Sequence, residues 1–267
     1  MATSSPTPRS GLAYDDLGHG EPPLVFLTGW CSSRARWHRV AELCSTRRRI
    51  LNLDWRGHGD SQPADGDFGL DELVEDALSV LDACGVDSFV PCSASHAGWV
   101  AIELCRRVPE RVKQMVHLDW MVRKPSAAYM GLLERLQSPE GWPEARDTLF
   151  EIWRADVDLP AIDEAIAVMR AQSGEMWMRS GRVIESSYRR HGAPLAVLAA
   201  LESPPSVRHV YGQPAAEEYL EHQQRAAAEH DWFSVEHLDL RSHFSMIEAP
   251  EAVAASIERC VARSYDH

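Results

Sequence analysis

The fold is decided by the segment Phe89-Val90-Pro91-Cys92-Ser93-Ala94-Ser95-His96-Ala97-Gly98-Trp99. A strand pattern gives way to a helical pattern within it, and a single serine stands at the change. A strand-to-helix turn sharp enough to expose a serine brings backbone segments close together, so the residues two before and two after it must be small. Ser93 and Ala97 fill these positions, where glycine is more common. The segment predicts an elbow with Ser95 at its corner; an ordinary strand-to-helix connection is the alternative.

Apolar runs and amphipathic stretches alternate on both sides of the elbow. Strands are predicted at residues 24–28, 49–54, 89–92, 112–119, 207–211 and 234–239. Helices are predicted at residues 32–44, 70–84, 96–108, 216–230 and 250–262. This alternation favours an α/β fold, with a mostly parallel sheet flanked by helices on both faces.

The alternation is interrupted in the middle of the chain. Residues 124–195 carry a helical pattern rich in Trp and Met without a strand candidate, which predicts an inserted helical cap. The core domain is thereby split into a first part, 1–123, and a second part, 196–267. Ligands are expected at the carboxyl ends of the strands, between sheet and cap. Trp142 is expected to fill the core of the cap itself.

The composition limits the partners and the compartment. With 267 residues, 45% of them hydrophobic, the chain is long enough for one large domain with an insertion. A net charge of −13 disfavours binding to nucleic acid and to anionic membranes. Residues 1–10 contain no apolar signal core and no apolar run could span a bilayer, which predicts a cytoplasmic protein. The six cysteines lack paired spacing and are expected to be reduced.

A histidine and an acid that serve an elbow serine follow it in the chain, on loops after later strands. His243 fits the histidine because it stands between the last predicted strand and the final helix; a solvated loop histidine is the alternative. The usual loop for the acid, 211–216, contains no aspartate. Asp119, at the end of the strand after the elbow helix, is therefore predicted to orient His243. A helix cap or a surface residue is the alternative for Asp119.

Backbone amides are predicted to form an oxyanion pocket beside the elbow. One belongs to His96, directly after the serine, and the other to Trp30, in the loop after the first core strand. Asp54 and His58 fall in a glycine-rich loop and are expected to be structural. The histidines show no metal-binding spacing on a helix and no Cys-x-x-Cys occurs, so no metal site is predicted.

Several strings resemble known families over about residues 24–262. The string Asp54-Trp55-Arg56-Gly57-His58-Gly59, the elbow at Ser95 and the late His243 resemble the α/β-hydrolase superfamily. Four further strings resemble, within it, the cofactor-free 2,4-dioxygenases that open 3-hydroxy-4(1H)-quinolones: Thr28-Gly29-Trp30-Cys31, Leu118-Asp119-Trp120, Phe150-Glu151-Ile152-Trp153 and Arg179-Ser180-Gly181-Arg182-Val183-Ile184-Glu185.

The resemblance implies roles around the elbow. His243 and Asp119 match the catalytic dyad, and Ser95 matches the elbow serine, which would hold a substrate oxygen without forming an acyl-enzyme. Family members that act on the short-chain quinaldine substrate carry a histidine directly before this serine, where the present chain has Ala94. The smaller side chain is expected to leave more room for the 2-substituent of the substrate.

The resemblance also implies the substrate-binding groups. The amides of Trp30 and His96 match the oxyanion pair, Cys31 lies beside them, and Trp153 matches a cap residue at the substrate.

The resemblance implies a reaction that needs neither metal nor organic cofactor. The partners are dioxygen and a 2-alkyl-3-hydroxy-4(1H)-quinolone of the bacterial quorum-signal type, and the products are an N-acylanthranilate and carbon monoxide. Two alternatives stay open. One is a serine esterase or amidase that uses Ser95, His243 and Asp119 as a triad. The other is a receptor that binds a quinolone in the same pocket without turnover.

Overall fold

A seven-stranded sheet forms the centre of the computed structural model, which describes residues 11–262. The strands, β1 to β7 in chain order, are Tyr14–Leu17, Leu24–Leu27, Ile50–Leu53, Val90–Ala94, Gln114–Leu118, Ser206–Tyr211 and Phe233–His237. Their order in the sheet is β1-β3-β2-β4-β5-β6-β7. All neighbouring pairs are parallel except β1 and β3. The six strands predicted from the sequence are confirmed, and the fold is the predicted α/β arrangement.

The edge strand β1 was not predicted. Its sequence, Tyr-Asp-Asp-Leu, is half-buried along its whole length and lacks the apolar run that marks the inner strands. It pairs antiparallel with β3, and Asp16 accepts hydrogen bonds from the Arg49 guanidinium at 2.9 and 2.7 Å. Charged side chains of this kind are typical of strands at the edge of a sheet.

Helices cover both faces of the sheet. In chain order, α1 to α11 are His38–Ser45, Leu70–Ala83, Ala97–Arg107, Ala127–Leu136, Trp142–Arg154, Pro160–Arg170, Gly174–His191, Pro194–Ala199, Glu217–Glu229, Ser245–Glu248 and Pro250–Ala262. A single 3-10 turn, Arg34–Trp37, precedes α1. Helices α4 to α8 form the cap side of the molecule, and α8 straddles the predicted boundary at residue 195. The short helix α10, directly after His243, was not predicted.

Both faces of the inner strands β2 to β6 are buried, so the apolar core has two parts. One part lies under α1 and α11 and includes Phe26 and Val116. The other lies under α2, α3 and α9 and continues into the cap. Burial of both faces explains why these strands are read from the sequence as continuous apolar runs.

The structure bears on two of the predictions from composition, and a third concerns residues outside the described range. Within residues 11–262, no helix is both long and apolar enough to cross a membrane. Within residues 11–262 none of the six cysteines forms a disulfide bond, and five of them are buried. The predicted absence of a signal sequence concerns residues 1–10, which lie outside the described residues.

Candidate active site

The predicted elbow lies between β4 and α3. Ser95 has a φ of +53°, a left-handed backbone conformation that a residue with a side chain rarely adopts. Its amide donates to the carbonyl oxygen of Leu118 at 2.8 Å, which ties the turn to the neighbouring strand. Ser93 takes the place of the usual glycine, and its hydroxyl lies 2.7 Å from Nδ1 of the buried His117. The strained turn therefore holds Ser95 at the carboxyl end of the sheet.

Two adjoining cavities meet at this serine, between the sheet and the cap. The closed one, of about 30 Å³, lies under cap helices α4, α5 and α7. The wider one, of about 490 Å³, has mostly apolar walls and extends toward the exposed side chain of Ile152. Five residues line both cavities: Ser95, His96, Tyr129, Trp153 and His243. A cavity therefore exists at the elbow, where the sequence predicts a ligand site between sheet and cap, and ligand binding there stays a prediction.

His243 is held against the cap. Its ring stacks on Trp153 with 5.4 Å between the ring centroids and 20° between the ring planes. Its amide donates to the carbonyl oxygen of Trp153 at 2.7 Å. Burial, together with the positive charge of Arg36, lowers the pKa of His243 to about 3. The imidazole is therefore neutral near pH 7.

Asp119 lines the wider cavity together with His243, but its carboxylate contacts backbone amides. Its carboxylate accepts hydrogen bonds from the amides of Gly212 at 2.9 Å and Ser245 at 3.2 Å. Burial raises the pKa of Asp119, and these hydrogen bonds oppose that rise. Within residues 11–262, no hydrogen bond joins the side chains of Asp119, His243 and Ser95. The carboxylate is engaged by backbone amides and the imidazole stacks on Trp153, so the orientation of His243 by Asp119 stays a prediction.

The loop after β6, which contains no acid, still contributes to this site. Gly212 provides one of the two amides that hold Asp119, and the side-chain amide of Gln213 donates to the carbonyl oxygen of Ile152 at 3.1 Å. The loop therefore fixes the acid from the neighbouring strand and also joins the core to cap helix α5.

The two predicted oxyanion amides are available to a ligand. Trp30 and His96 line the closed cavity with Ser95. Neither of their amides donates to an acceptor within the described part of the chain. The Trp30 indole stacks on Phe68 at 5.6 Å, which fixes the loop that carries its amide. The arrangement leaves two backbone donors on the two sides of the elbow, as an oxyanion pocket requires.

Cys31 does not contribute to the cavity as predicted. Its side chain is fully buried, and burial raises the pKa of its thiol. Its amide donates to Nε2 of His58 at 3.0 Å and is not free for a ligand. Asp54 is also buried and accepts from the amides of Arg34 and Asp60 at 2.6 and 3.0 Å. The glycine-rich loop therefore supports the Trp30 loop from behind, which is the structural role expected for Asp54 and His58.

Ala94 does not set the width of the pocket, and this prediction is also corrected. Successive residues of a strand point to opposite faces of the sheet. The methyl group of Ala94 is buried with Leu24, Trp37 and Met246, in the part of the core under α1 and α11. It is not among the residues that line the two cavities at Ser95.

The two tryptophans of helix α5 have different roles. Trp153 faces the cavity, as described above, whereas Trp142 packs partly buried inside the cap. The guanidinium of Arg146 lies 5.0 Å from the Trp142 ring, and the backbone of Gly174 approaches it closely. Trp142 is thus a packing residue, as expected.

Tyr129 and Arg36 line the site but were not predicted from the sequence. Tyr129, on cap helix α4, lies with its hydroxyl 2.8 Å from Nε2 of His96. Arg36, in the turn before α1, lines the closed cavity. The cap sequence around Tyr129 is a plain amphipathic helix, and Arg36 stands in a basic surface-like stretch, so neither pattern distinguishes a cavity residue. Within residues 11–262 no group of three or more His, Cys, Asp or Glu side chains is arranged to hold a metal ion.

Comparisons with known proteins agree with this geometry. The family model for the alpha/beta hydrolase fold matches residues 22–245. The chain is 36% identical to the 2-heptyl-3-hydroxy-4(1H)-quinolone dioxygenase of Mycobacteroides abscessus, over 96% of each chain. It is 32% identical to the 1H-3-hydroxy-4-oxoquinoline 2,4-dioxygenase of Pseudomonas putida, over 92% of this chain and 94% of that enzyme.

A solved structure provides the same comparison in three dimensions. An AqdC variant, in complex with its substrate, superposes with a TM-score of 0.91 at 35% identity, covering 96% of this chain and 98% of the other. That structure concerns recognition and ring cleavage of the Pseudomonas quinolone signal. The similarity extends through the cap as well as the core. The chain therefore belongs to the 3-hydroxy-4-quinolone 2,4-dioxygenase family of the α/β-hydrolase fold.

Proposed function

We propose that this chain is a cofactor-free dioxygenase that cleaves the ring of a 2-alkyl-3-hydroxy-4(1H)-quinolone with O2. The products are an N-acylanthranilate and carbon monoxide, so the enzyme degrades a quorum-signal type of molecule. One observation carries the proposal: a neutral, proton-accepting His243 lines the same capped cavity as Ser95 without a hydrogen bond between them. A histidine in this position serves a bound substrate rather than an enzyme nucleophile.

His243 starts the reaction by removing the proton of the 3-hydroxyl group. The transfer creates an imidazolium and a quinolone anion, whose attraction in a cavity of low dielectric offsets the burial that disfavours the imidazolium. The negative charge of Asp119, which lines the same cavity, favours the imidazolium form of His243. Hydrogen bonds at the substrate oxygens come from Ser95 and from the amides of Trp30 and His96.

The electron-rich anion then supplies the electrons that dioxygen needs. One oxygen atom bonds to C2 and the other to C4, which gives a bridged peroxide. Cleavage of the O–O bond and of the two bonds to C3 releases C3 as carbon monoxide. Both oxygen atoms stay in the organic product, one in the new amide and one in the carboxylate, so no external reductant is required.

The wider cavity supports a long 2-substituent. Its volume of about 490 Å³ lies within the range of about 300–1,000 Å³ that small-molecule sites occupy. Its outer wall includes Ile152, Pro214 and Ala215, which are suited to an alkyl chain. Since Ala94 is buried elsewhere, we assign selection for chain length to this outer wall.

The test is an oxygen-electrode assay with 3-hydroxy-4(1H)-quinolones that carry hydrogen, methyl or heptyl at C2, with carbon monoxide measured in parallel. The heptyl compound is expected to give the highest kcat/KM. His243→Ala should lower kcat by about 10²–10⁴-fold, the usual contribution of a general base. Ser95→Ala should lower it less, because no covalent intermediate forms.

The serine hydrolase alternative makes the opposite prediction. Loss of a nucleophile should lower activity by several orders of magnitude in Ser95→Ala, as severely as loss of the histidine. A serine-directed phosphonate should also inactivate a hydrolase. Tight quinolone binding by the wild-type protein without any product under oxygen would instead favour a receptor.

A further inference from the structure

Arg36 is a charged residue of the closed cavity that takes no part in the proposed reaction steps. It lies in the 3-10 turn Arg34–Trp37, which follows the Trp30 loop and leads into α1. Its side chain lines the closed cavity together with Trp30, His96 and His243. The two oxyanion amides and this guanidinium therefore border one small space.

The guanidinium lacks the partners that other arginines of this chain have. Arg34, two residues earlier, forms salt bridges with Asp54, Asp15 and Asp60. Within residues 11–262, Arg36 forms no salt bridge. It donates one hydrogen bond, from Nη2 to the carbonyl oxygen of His243 at 3.3 Å, and its Nε is buried without an acceptor.

The surroundings of Arg36 hold it in place without a carboxylate in direct contact. The guanidinium carbon lies 4.6 Å from the centre of the Phe244 ring, a cation–π contact that fixes the side chain. Burial lowers the pKa of Arg36 to about 10, and the negative charge of Asp119 opposes that fall, so the group stays positively charged near pH 7. A half-buried cation with an unsatisfied donor is costly to fold, which indicates that an anionic ligand completes the site.

Titratable groups face the closed and wider cavities from six segments. They are Arg36 from the turn before α1, His96 from the elbow, Asp119 from the end of β5, Tyr129 from α4, Asp156 from the loop after α5, and Arg241 and His243 from the loop after β7. Burial lowers the pKa of both His96 and His243 to about 3, so both are neutral near pH 7. Arg241 pairs with Asp156, so within residues 11–262 Arg36 is the one arginine of these two cavities that forms no salt bridge.

We infer that Arg36 is an anion-binding residue of the active site, which stabilises the deprotonated 3-hydroxy-4-quinolone at the closed end of the cavity. The inference rests on the proposed function, because the anion is the species formed by His243. The same positive charge helps to keep His243 neutral before the substrate proton moves. Once the proton has moved, attraction between the guanidinium and the substrate anion offsets repulsion between the guanidinium and the imidazolium.

The test measures the pKa of the bound 3-hydroxyl group without oxygen. 2-Heptyl-3-hydroxy-4(1H)-quinolone is added to the protein under nitrogen, and the absorbance of its anion is followed against pH. In the wild type this pKa should lie below its value in water. In Arg36→Gln it should rise by about 1 to 2, and kcat/KM under air should fall by about 10- to 100-fold, as expected for a charge-assisted contact.

Two controls separate charge from shape. Arg47→Gln removes an exposed arginine that does not line the cavity, and it should leave both values unchanged. 2-Heptyl-4(1H)-quinolone lacks the 3-hydroxyl and stays neutral, so its Kd should change less than about threefold in Arg36→Gln. An equal loss of affinity for both quinolones would show that Arg36 only shapes the pocket, and would overturn the inference.

The wild type alone also tests the inference if Arg36→Gln does not fold. A bound 3-hydroxyl whose pKa equals or exceeds its value in water would overturn the role of Arg36, whatever the variants do. If the wild type releases carbon monoxide but Arg36→Gln leaves the bound pKa unchanged, the role of Arg36 fails and the proposed function stands. If the wild type releases no carbon monoxide, the proposed function is contradicted, independently of the role of Arg36.

Discussion

Lowering the pH from 7.5 to 5.5 is expected to destabilise the folded chain, because buried histidines must stay neutral, among them His96, His117 and His209. His209 has both ring nitrogens engaged: Nδ1 contacts the oxygen of Gln223, and Nε2 accepts from the amide of Trp120 at 3.3 Å. His117 contacts Ser93 through Nδ1, and its Nε2 is buried without a partner.

The third histidine is His96, which bonds Tyr129 through Nε2 and has a buried Nδ1 without a partner. Within residues 11–262, none of the three forms a salt bridge with a carboxylate that could stabilise an added proton.

The size of the effect follows from the pKa values. Burial lowers the pKa from 6.5 to about 3 in His96 and His117 and to about 4 in His209. Because the unfolded chain binds protons first, the stability from these groups is fully present above pH 6.5 and is lost as the pH falls toward 3 to 4. From pH 7.5 to 5.5 each group loses about 1.3 kcal/mol, or about 4 kcal/mol for the three. This is a large share of the about 5–15 kcal/mol that stabilises a typical domain.

Urea unfolding followed by tryptophan fluorescence at pH 5.5, 6.5 and 7.5 measures this loss. His117→Gln should be less stable at pH 7.5 but should show a smaller pH dependence, because one of the buried titrating groups is gone. His19→Gln removes an exposed histidine and should keep the wild-type pH dependence. Equal stability of the wild type at pH 7.5 and 5.5, or an identical slope in His117→Gln, would refute the reasoning.

Three further substitutions test the packing around the site. Tyr129→Phe removes the hydrogen bond to His96 and should lower the free energy of unfolding by about 1 kcal/mol in urea titrations; no change would show that the bond is not stabilising. Gly98→Ala places a methyl group against an indole ring 2.2 Å away and should cost about 1–3 kcal/mol, whereas a fully stable variant would contradict this backbone placement. Trp153→Ala removes the stack on His243 and should lower kcat/KM up to about tenfold while Trp153→Phe keeps most activity; equal loss in both would argue against a role for stacking.

Most of the fold follows from local patterns in the sequence. The inner strands are buried on both faces and therefore appear as continuous apolar runs, and the elbow requires small residues around Ser95. The strand Tyr14–Leu17 could not be predicted in this way, because a half-buried edge strand with two aspartates contains no apolar run. The position of Ala94 could have been foreseen, because residues of a strand alternate between faces.

The contacts within the site depend on tertiary structure that no local pattern encodes. Asp119 and His243 were correctly placed beside one cavity, yet the amide partners of Asp119 come from Gly212 and Ser245, more than 90 residues later in the chain. The stack between His243 and Trp153 likewise joins the core to the cap. Arg36 lies in a stretch that reads as a solvated surface, and only the packing of the cap above it creates the closed cavity.

Simultaneous measurement of O2 uptake and carbon monoxide release tests the central claim most directly. The wild-type protein, with 2-heptyl-3-hydroxy-4(1H)-quinolone under air and with a metal chelator present, should consume O2 and release carbon monoxide in equal amounts as the N-acylanthranilate appears. His243→Ala should abolish both gas changes together. Loss of the quinolone without carbon monoxide, or no loss at all, would contradict the account.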